Sequence, residues 1–381
     1  VLEKAENFSS HFFMYKNIAC RMKKVLAALL AASLISGTFA QSAQEREAKK
    51  LAEIKQRADR LYKGLNVERD VVYKKFKGKD VTMDIVLPRE QKFKGGAPIL
   101  VNIHGGGWNG GDRYHVGGPW AKALNEKGIA VATISYTFAE DGKTDITNCI
   151  TDVKDALRFL VKNSKKYGID PTRMITTGHS AGGHLSLLAA LSPNDKFVGD
   201  PSLKKYEPKF VGAIGFAPAV SFVNPEADYK GTVSYGAGCF ARLMGGSLDE
   251  IRKFQKECKG NSFEFLKEKN PKDKRIALAE EVSPINYLSR SSCPVLIIHG
   301  SKDDLVSYKA SKLMAEKAKK LGADLIYIEV TGADHGLGGA KIPQTDEEKA
   351  AKIQRFEEIS VSKDAQGKIR DLFLLRHMLD G

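Results

Sequence analysis

Short, wholly apolar runs alternate with stretches whose apolar residues recur every three or four positions, and this rhythm governs the chain from Pro98 to about residue 330. The runs Ile99–Ile103, Ile129–Ser135, Arg173–Thr177, Phe210–Phe216, Val295–His299 and Leu325–Val330 predict buried strands. Runs without polar alternation suit strands covered on both faces, as in a parallel sheet built from βαβ crossovers. Between the second and third runs, Ile150, Val153, Leu157, Leu160 and Val161 fall on one helical face, and Gly168 with Pro171 ends that crossover. Upstream, Val71–Tyr73 and Val81–Leu87 predict an antiparallel hairpin at the sheet edge. The expected class is therefore α/β, with a mostly parallel central sheet and helices on both faces.

Residues 221–292 break the rhythm with Pro225, Gly231, Gly236, Gly238, Gly245 and Gly246, followed by a Lys/Glu-rich helical piece around Leu248–Lys269. They read as a cap-like insertion over the strand C-termini, where open α/β sheets take their ligands. Glu347–Glu358 and Lys368–Leu379 predict terminal helices covering one face of the sheet. Residues 44–63 predict a polar leading helix within an N-terminal segment 41–69, leaving 70–381 as one domain.

Residues 22–40 combine Lys23 and Lys24, a short apolar run and small residues ending at Ala40, the layout of a signal peptide. Export and a mature N-terminus near Gln41 are the expectation, in a periplasmic or extracellular location; residues 1–21 read as an upstream remnant. The formal charge of +14 falls to +11 without residues 1–40. Lysine is scattered instead of forming a tract interleaved with aromatics, which describes a solvated basic surface and not a nucleic-acid partner. No stable membrane anchor is expected either. Export permits disulfides among Cys149, Cys239, Cys258 and Cys293, with Cys239–Cys258 the first pairing to consider and buried thiols the alternative. No Cys/His cluster has zinc-ligand spacing, and no motif calls for a cofactor or a metal.

Two glycine-rich strings carry the chemistry. Gly178-His179-Ser180-Ala181-Gly182-Gly183 follows a predicted strand and opens an apolar helix, the context in which a serine projects from a tight, strained turn. His104-Gly105-Gly106-Gly107-Trp108 follows strand Ile99–Ile103, and its bare backbone suits N–H groups aimed at a developing oxyanion. Gly106, Gly107 and the amide of Ala181 are the expected donors. A serine needs a base. His335, in the loop Gly332-Ala333-Asp334-His335-Gly336 after a late strand, is the candidate; His377 is its rival, with leucine neighbours that suggest packing. His299 lies within a strand, and His179 and His184 flank the serine too closely along the chain to fold back readily as its base. Asp303 or Asp304, after Val295–His299, supplies the acid, and spacing alone leaves the two open. Trp108 and His179 are candidate substrate contacts, the tryptophan by stacking on an aromatic acyl group or a sugar; His115 is a further possibility.

His104–Trp108, Gly178–Gly183, His299-Gly300-x-x-Asp303-x-x-Val306 and Asp334-His335-Gly336 together resemble the α/β-hydrolase carboxylesterases, especially the bacterial feruloyl and acetyl esterases related to hormone-sensitive-lipase-like enzymes. Asp152-Val153-x-x-Ala156-Leu157-Arg158-Phe159-Leu160 and Tyr167-Gly168-Ile169-Asp170-Pro171-x-Arg173 are similar to that family's helix and connector before the nucleophile. The resemblance spans roughly residues 70–379. It favours Asp303 as the acid and implies a serine esterase that removes acetyl or feruloyl groups from plant polysaccharide fragments without a cofactor. A generic short-chain carboxylesterase or lipase, and a non-catalytic carbohydrate-binding protein on the same fold, are the competing readings. Ser307 stands where such enzymes often have proline, and Ser135-Tyr136-Thr137 lacks the arginine many carry after that tyrosine.

Overall fold

The computed structural model describes residues 52–115, 118–223, 240–258 and 262–337, with isolated positions in 45–49 and 370–378. Compact units run from Val1 to Arg60 and from Leu61 to Gly381. In the first, residues 52–60 are helical. The second holds an eight-stranded sheet.

Its strands are β1 (Asn66–Phe76), β2 (Lys79–Leu87), β3 (Ala97–Ile103), β4 (Ala130–Ile134), β5 (Ile169–His179), β6 (Phe210–Phe216), β7 (Val295–Gly300) and β8 (Leu325–Val330), in the order β1-β2-β4-β3-β5-β6-β7-β8. β1 and β2 are antiparallel, as is β2 against β4; every later pair is parallel. Every residue of β3 and β4 is buried, which is why their sequences carry no alternation. At roughly 1.5–3 kcal/mol for each large buried aliphatic side chain, Ile99, Leu100, Val101 and Ile103 anchor β3 firmly. The flexible glycines that follow are thereby held at a fixed point of the sheet.

The hairpin is longer than its apolar signal. β1 begins at Asn66, and its apolar signal is short because most of its side chains face solvent and a register shift between Glu68 and Val71, with Asp70 at φ 54°, breaks the alternation.

The helices relevant to the site are α1 (Ile146–Lys162), α2 (Ala181–Leu191), α3 (Leu248–Glu257), α4 (Ser262–Lys269), α5 (Lys274–Glu281) and α6 (Tyr308–Leu321). α1 starts at a reciprocal cap between Asp145 and Asn148 and buries Ile150, Val153, Leu157 and Leu160. The expected helical piece of the insertion is two helices, α3 and α4, separated around Cys258; α5 follows. Phe254, Cys258, Phe263, Leu266, Ala279 and Val282 from this segment join one apolar cluster with Trp108 and Phe222. Cys239 lies outside the described residues, and so does its pairing; Cys149 and Cys258 are buried and Cys293 is partly so. Glu347–Glu358 and residues 22–40 also lie outside. In the last segment the described positions are helical, and the Phe373 ring occupies the space that a side chain at Gly212 of β6 would need.

Candidate active site

β5 ends at His179 and α2 begins at Ala181, so Ser180 occupies the turn alone, at φ 57° and ψ −123°. A left-handed φ in a residue with a Cβ is strained and persists only where its surroundings enforce it. Two glycines do so here. A Cβ on Gly178 would lie 2.4 Å from the Ile103 carbonyl oxygen and one on Gly182 2.0 Å from the same atom, so the elbow seats directly on the end of β3. The Ser180 amide donates to Phe216 O at 2.8 Å, and its carbonyl accepts from His184 N at 2.9 Å, the first turn of α2.

The structure brings Ser180, His335 and Asp303 together. Ser180 Oγ lies 2.9 Å from His335 Nε2, and His335 Nδ1 lies 2.7 Å from Asp303 Oδ2. Asp303 is fixed on both oxygens. Oδ1 accepts from the amides of Leu305 (2.9 Å) and Val306 (2.8 Å), whereas Oδ2 also accepts from His299 Nε2 at 3.0 Å. Burial alone would raise its pKa, but hydrogen bonds from His299, His335 and the Val306 amide outweigh that and hold the carboxyl well below the usual range. Asp304 is exposed, which resolves the choice that spacing left open.

His299 is the residue that sequence reasoning passed over. Its Nε2 faces two acceptors, Asp303 Oδ2 at 3.0 Å and the Val306 carbonyl at 3.1 Å, so the hydrogen sits on Nε2 and donates to them, which leaves Nδ1 to accept from the Ser311 hydroxyl at 2.9 Å. The available signal was its i, i+4 relation to Asp303 across the strand end, whereas its position within a strand served only to set it aside as the base.

The triple-glycine loop lies against the nucleophile: a Cβ on Gly105 would stand 3.4 Å from Ser180 Cβ and 2.7 Å from His179 O. Gly106 and Gly107 both have positive φ, 119° and 59°. Ala181 is the first residue of α2, where a helix leaves its N–H groups without an intrahelical acceptor. All three expected oxyanion donors thus sit on segments adjoining Ser180.

The expected substrate contacts fare differently. Trp108 is only 4% exposed, its indole N–H donates to His184 Nδ1 at 3.1 Å, and its ring packs on His184 and Phe222. It therefore has no open face for a ligand and serves as packing, which corrects the stacking role expected of it. His179 Nε2 donates to the carbonyl of His335 at 2.7 Å, so its polar edge holds the loop of the base instead of standing free. Burial, only partly opposed by that bond, lowers its pKa. His377 packs on Phe373, and the side chain of His115 lies outside the described residues. Among the described residues no group of three or more His, Cys, Asp or Glu is placed to hold a metal ion, and no helix is long and apolar enough to cross a membrane.

His184 couples this site to the insertion, since its Nε2 donates to Val282 O at 2.7 Å. Burial pushes its pKa down to about 4, against the opposing effect of the Val282 bond, so the folded protein carries it neutral. Between that value and the ordinary ~6.5 the unfolded chain binds more protons, and stability is lost on acidification through this window, on the order of 3 kcal/mol in all. Urea unfolding at pH 7 and pH 4.5 should show this loss in the wild type and a smaller one in His184→Gln, which keeps the donor to Val282. Equal losses would refute it.

Residues 83–318 match the family model described as BD-FAE. The chain belongs to the BD-FAE family. Among curated relatives, this BD-FAE chain is 27% identical over 290 residues to a probable carboxylic ester hydrolase, LipM, of Mycobacterium tuberculosis, covering 75% of this chain and 60% of the relative. The chain spans about half to three-fifths of the length of the first curated relatives it matches. A thermophilic esterase from Thermogutta terrifontis, Est2, superimposes with a TM-score of 0.56 at 20% identity, over 82% of this chain and 92% of that one. A truncated carbohydrate esterase from gut microbiota superimposes with a TM-score of 0.55 at 22% identity, over 73% and 91%. The fold is that of the α/β-hydrolases.

Proposed function

We propose that this BD-FAE chain is a serine carboxylic ester hydrolase that works through an acyl-enzyme and removes acetyl or feruloyl groups from plant polysaccharide fragments. The observation that carries the reading is the unbroken relay from Ser180 Oγ through His335 to a buried, ionised Asp303, at 2.9 and 2.7 Å, beside a backbone loop of three glycines. His335 takes the serine proton as Oγ attacks the ester carbonyl, and Asp303 supports the imidazolium that forms. The amides of Gly106, Gly107 and Ala181 hold the tetrahedral oxyanion. As the intermediate collapses, the C–O bond to the alcohol breaks and His335 gives the proton to that leaving oxygen. Water then enters by the same route in reverse: His335 takes its proton, the hydroxyl adds to the acyl carbon, and the proton returns to Ser180 as the acid departs. No redox group enters this balance.

The acyl specificity is the finer part of the proposal. It is supported by the BD-FAE match and by the likeness to a carbohydrate esterase; the exported location rests on residues 22–40. Comparing kcat/KM on acetylated xylan fragments, methyl ferulate and p-nitrophenyl butyrate tests it. A preference of about 10-fold or more for either of the first two is expected, the scale at which a pocket separates related acyl groups. Equal or better turnover of the butyrate would favour a generic short-chain carboxylesterase, and absence of turnover on all three a binding protein.

A further inference from the structure

Glycine gives the loop after β3 its close approach to Ser180, but it also leaves the loop's peptides free to rotate. In a planar trans peptide the N–H points opposite to the C=O, so the direction of the Gly107 N–H is set by whatever holds the carbonyl of Gly106. A flipped Gly106–Gly107 peptide would turn a donor away from the oxyanion and present an oxygen in its place.

The carbonyls are held by Asn109. Its backbone N–H donates to Gly106 O at 3.2 Å. Its side-chain amide has the guanidinium of Arg242 on one side and the carbonyls of Gly106 and Gly107 on the other. A guanidinium only donates and a carbonyl only accepts, so the orientation is determined: Oδ1 accepts from Arg242 Nη1 at 2.9 Å, and the amide nitrogen donates to Gly106 O at 3.1 Å and Gly107 O at 3.3 Å. Arg242 is fixed in turn by Asp141, whose Oδ1 lies 2.7 Å from Nε. Arg242 belongs to the insertion and Asp141 to the segment after β4, so three separate parts of the chain converge on two glycine carbonyls.

We infer that Asn109, oriented by Arg242 and Asp141, is a positioning residue that locks the Gly106–Gly107 peptide with the Gly107 N–H toward Ser180, so that the seating of the insertion sets the competence of the oxyanion hole. This rests on the proposed acyl-transfer reaction. Asn109 touches neither substrate nor the reacting atoms; it acts through the backbone it holds.

Asn109→Asp is the sharpest test, because the carboxylate keeps the Arg242 pair and loses both side-chain donors to the carbonyls. We expect kcat on p-nitrophenyl acetate to fall about 10- to 100-fold, the scale of a misplaced reacting group, with KM within about twofold of wild type. A trifluoromethyl ketone, whose adduct with Ser180 carries the oxyanion, should lose affinity by the same factor as kcat/KM. Arg242→Leu should reproduce the kcat loss in part, and Arg242→Lys, which still donates to Oδ1, should recover most of it. Wild-type kcat and ketone affinity in both Asn109→Asp and Arg242→Leu would overturn the inference, as would a rise in KM at unchanged kcat. Should Asn109→Asp fail to fold, the Leu/Lys comparison at 242 decides. Lack of turnover in the wild type would strike the esterase reading itself, whereas an active wild type with indifferent variants would strike only the role of Asn109.

Discussion

Ser180→Ala should lower kcat on p-nitrophenyl acetate by about 10⁴- to 10⁶-fold, the range found when a serine nucleophile is deleted from a working triad. The loss is confined to chemistry because Ser180 Oγ has His335 as its hydrogen-bond partner, whereas the backbone bonds that hold the turn, to Phe216 O and from His184 N, do not involve the side chain. Thermal unfolding of the alanine variant should therefore stay close to wild type. Ser180→Gly provides a complementary reading. At φ 57° glycine is unstrained, so this variant should gain about 1 kcal/mol of stability while being equally inert. A fluorophosphonate probe should label the wild type and neither variant. Turnover persisting in Ser180→Ala, in a sample that unfolds normally, would remove the nucleophile and with it the proposed function.

The sheet was legible wherever burial on both faces produced an uninterrupted apolar run: Phe210–Phe216 and Leu325–Val330 coincide with β6 and β8, and the others differ at their ends by a few residues. β1 was legible only at its centre, since a half-exposed, bulged edge strand offers little periodicity to read. The elbow and the glycine loop were legible for a different reason, namely that only glycine fits against Ile103 O and His179 O at those positions.

Side-chain environment was far less legible. Asp152, Asp155 and Arg158 look like the solvent face of α1, yet all three are buried, with Lys74 from β1 reaching Asp152 at 2.7 Å and Asp155 at 2.9 Å. That pairing joins residues distant in sequence and leaves no local pattern. Trp108 failed similarly: an aromatic beside a glycine loop suggests a ligand platform, and only the packing of Phe222 and His184 around it shows otherwise. His299 was discounted for lying in a strand, although a strand's last residues are where an α/β sheet places its functional side chains.

Asp303→Asn should cost about 10⁴-fold in kcat, for a reason that follows from the four donors around this carboxylate. The amides of Leu305 and Val306 cannot change their hydrogens, so the asparagine must give them its carbonyl oxygen, which directs its NH2 group at His299 and His335. An imidazole facing a donor turns its lone pair that way. His335 would then carry its hydrogen on Nε2, donate to Ser180 Oγ, and lose the means to accept the serine proton. The same substitution has a signature in stability. Because the folded pKa of Asp303 is depressed, its ionised form stabilises the protein fully above the ordinary carboxylate value of about 3.9, and this contribution is lost as pH falls through the lower folded value. The stability gap between wild type and Asp303→Asn should thus be constant from pH 5 to 7 and narrow only toward strong acid; the His184 contribution, common to both proteins, cancels from the difference. A variant within tenfold of wild-type kcat, or a gap that already closes between pH 7 and 5, would show that Asp303 neither orients the base nor stays ionised in its pocket.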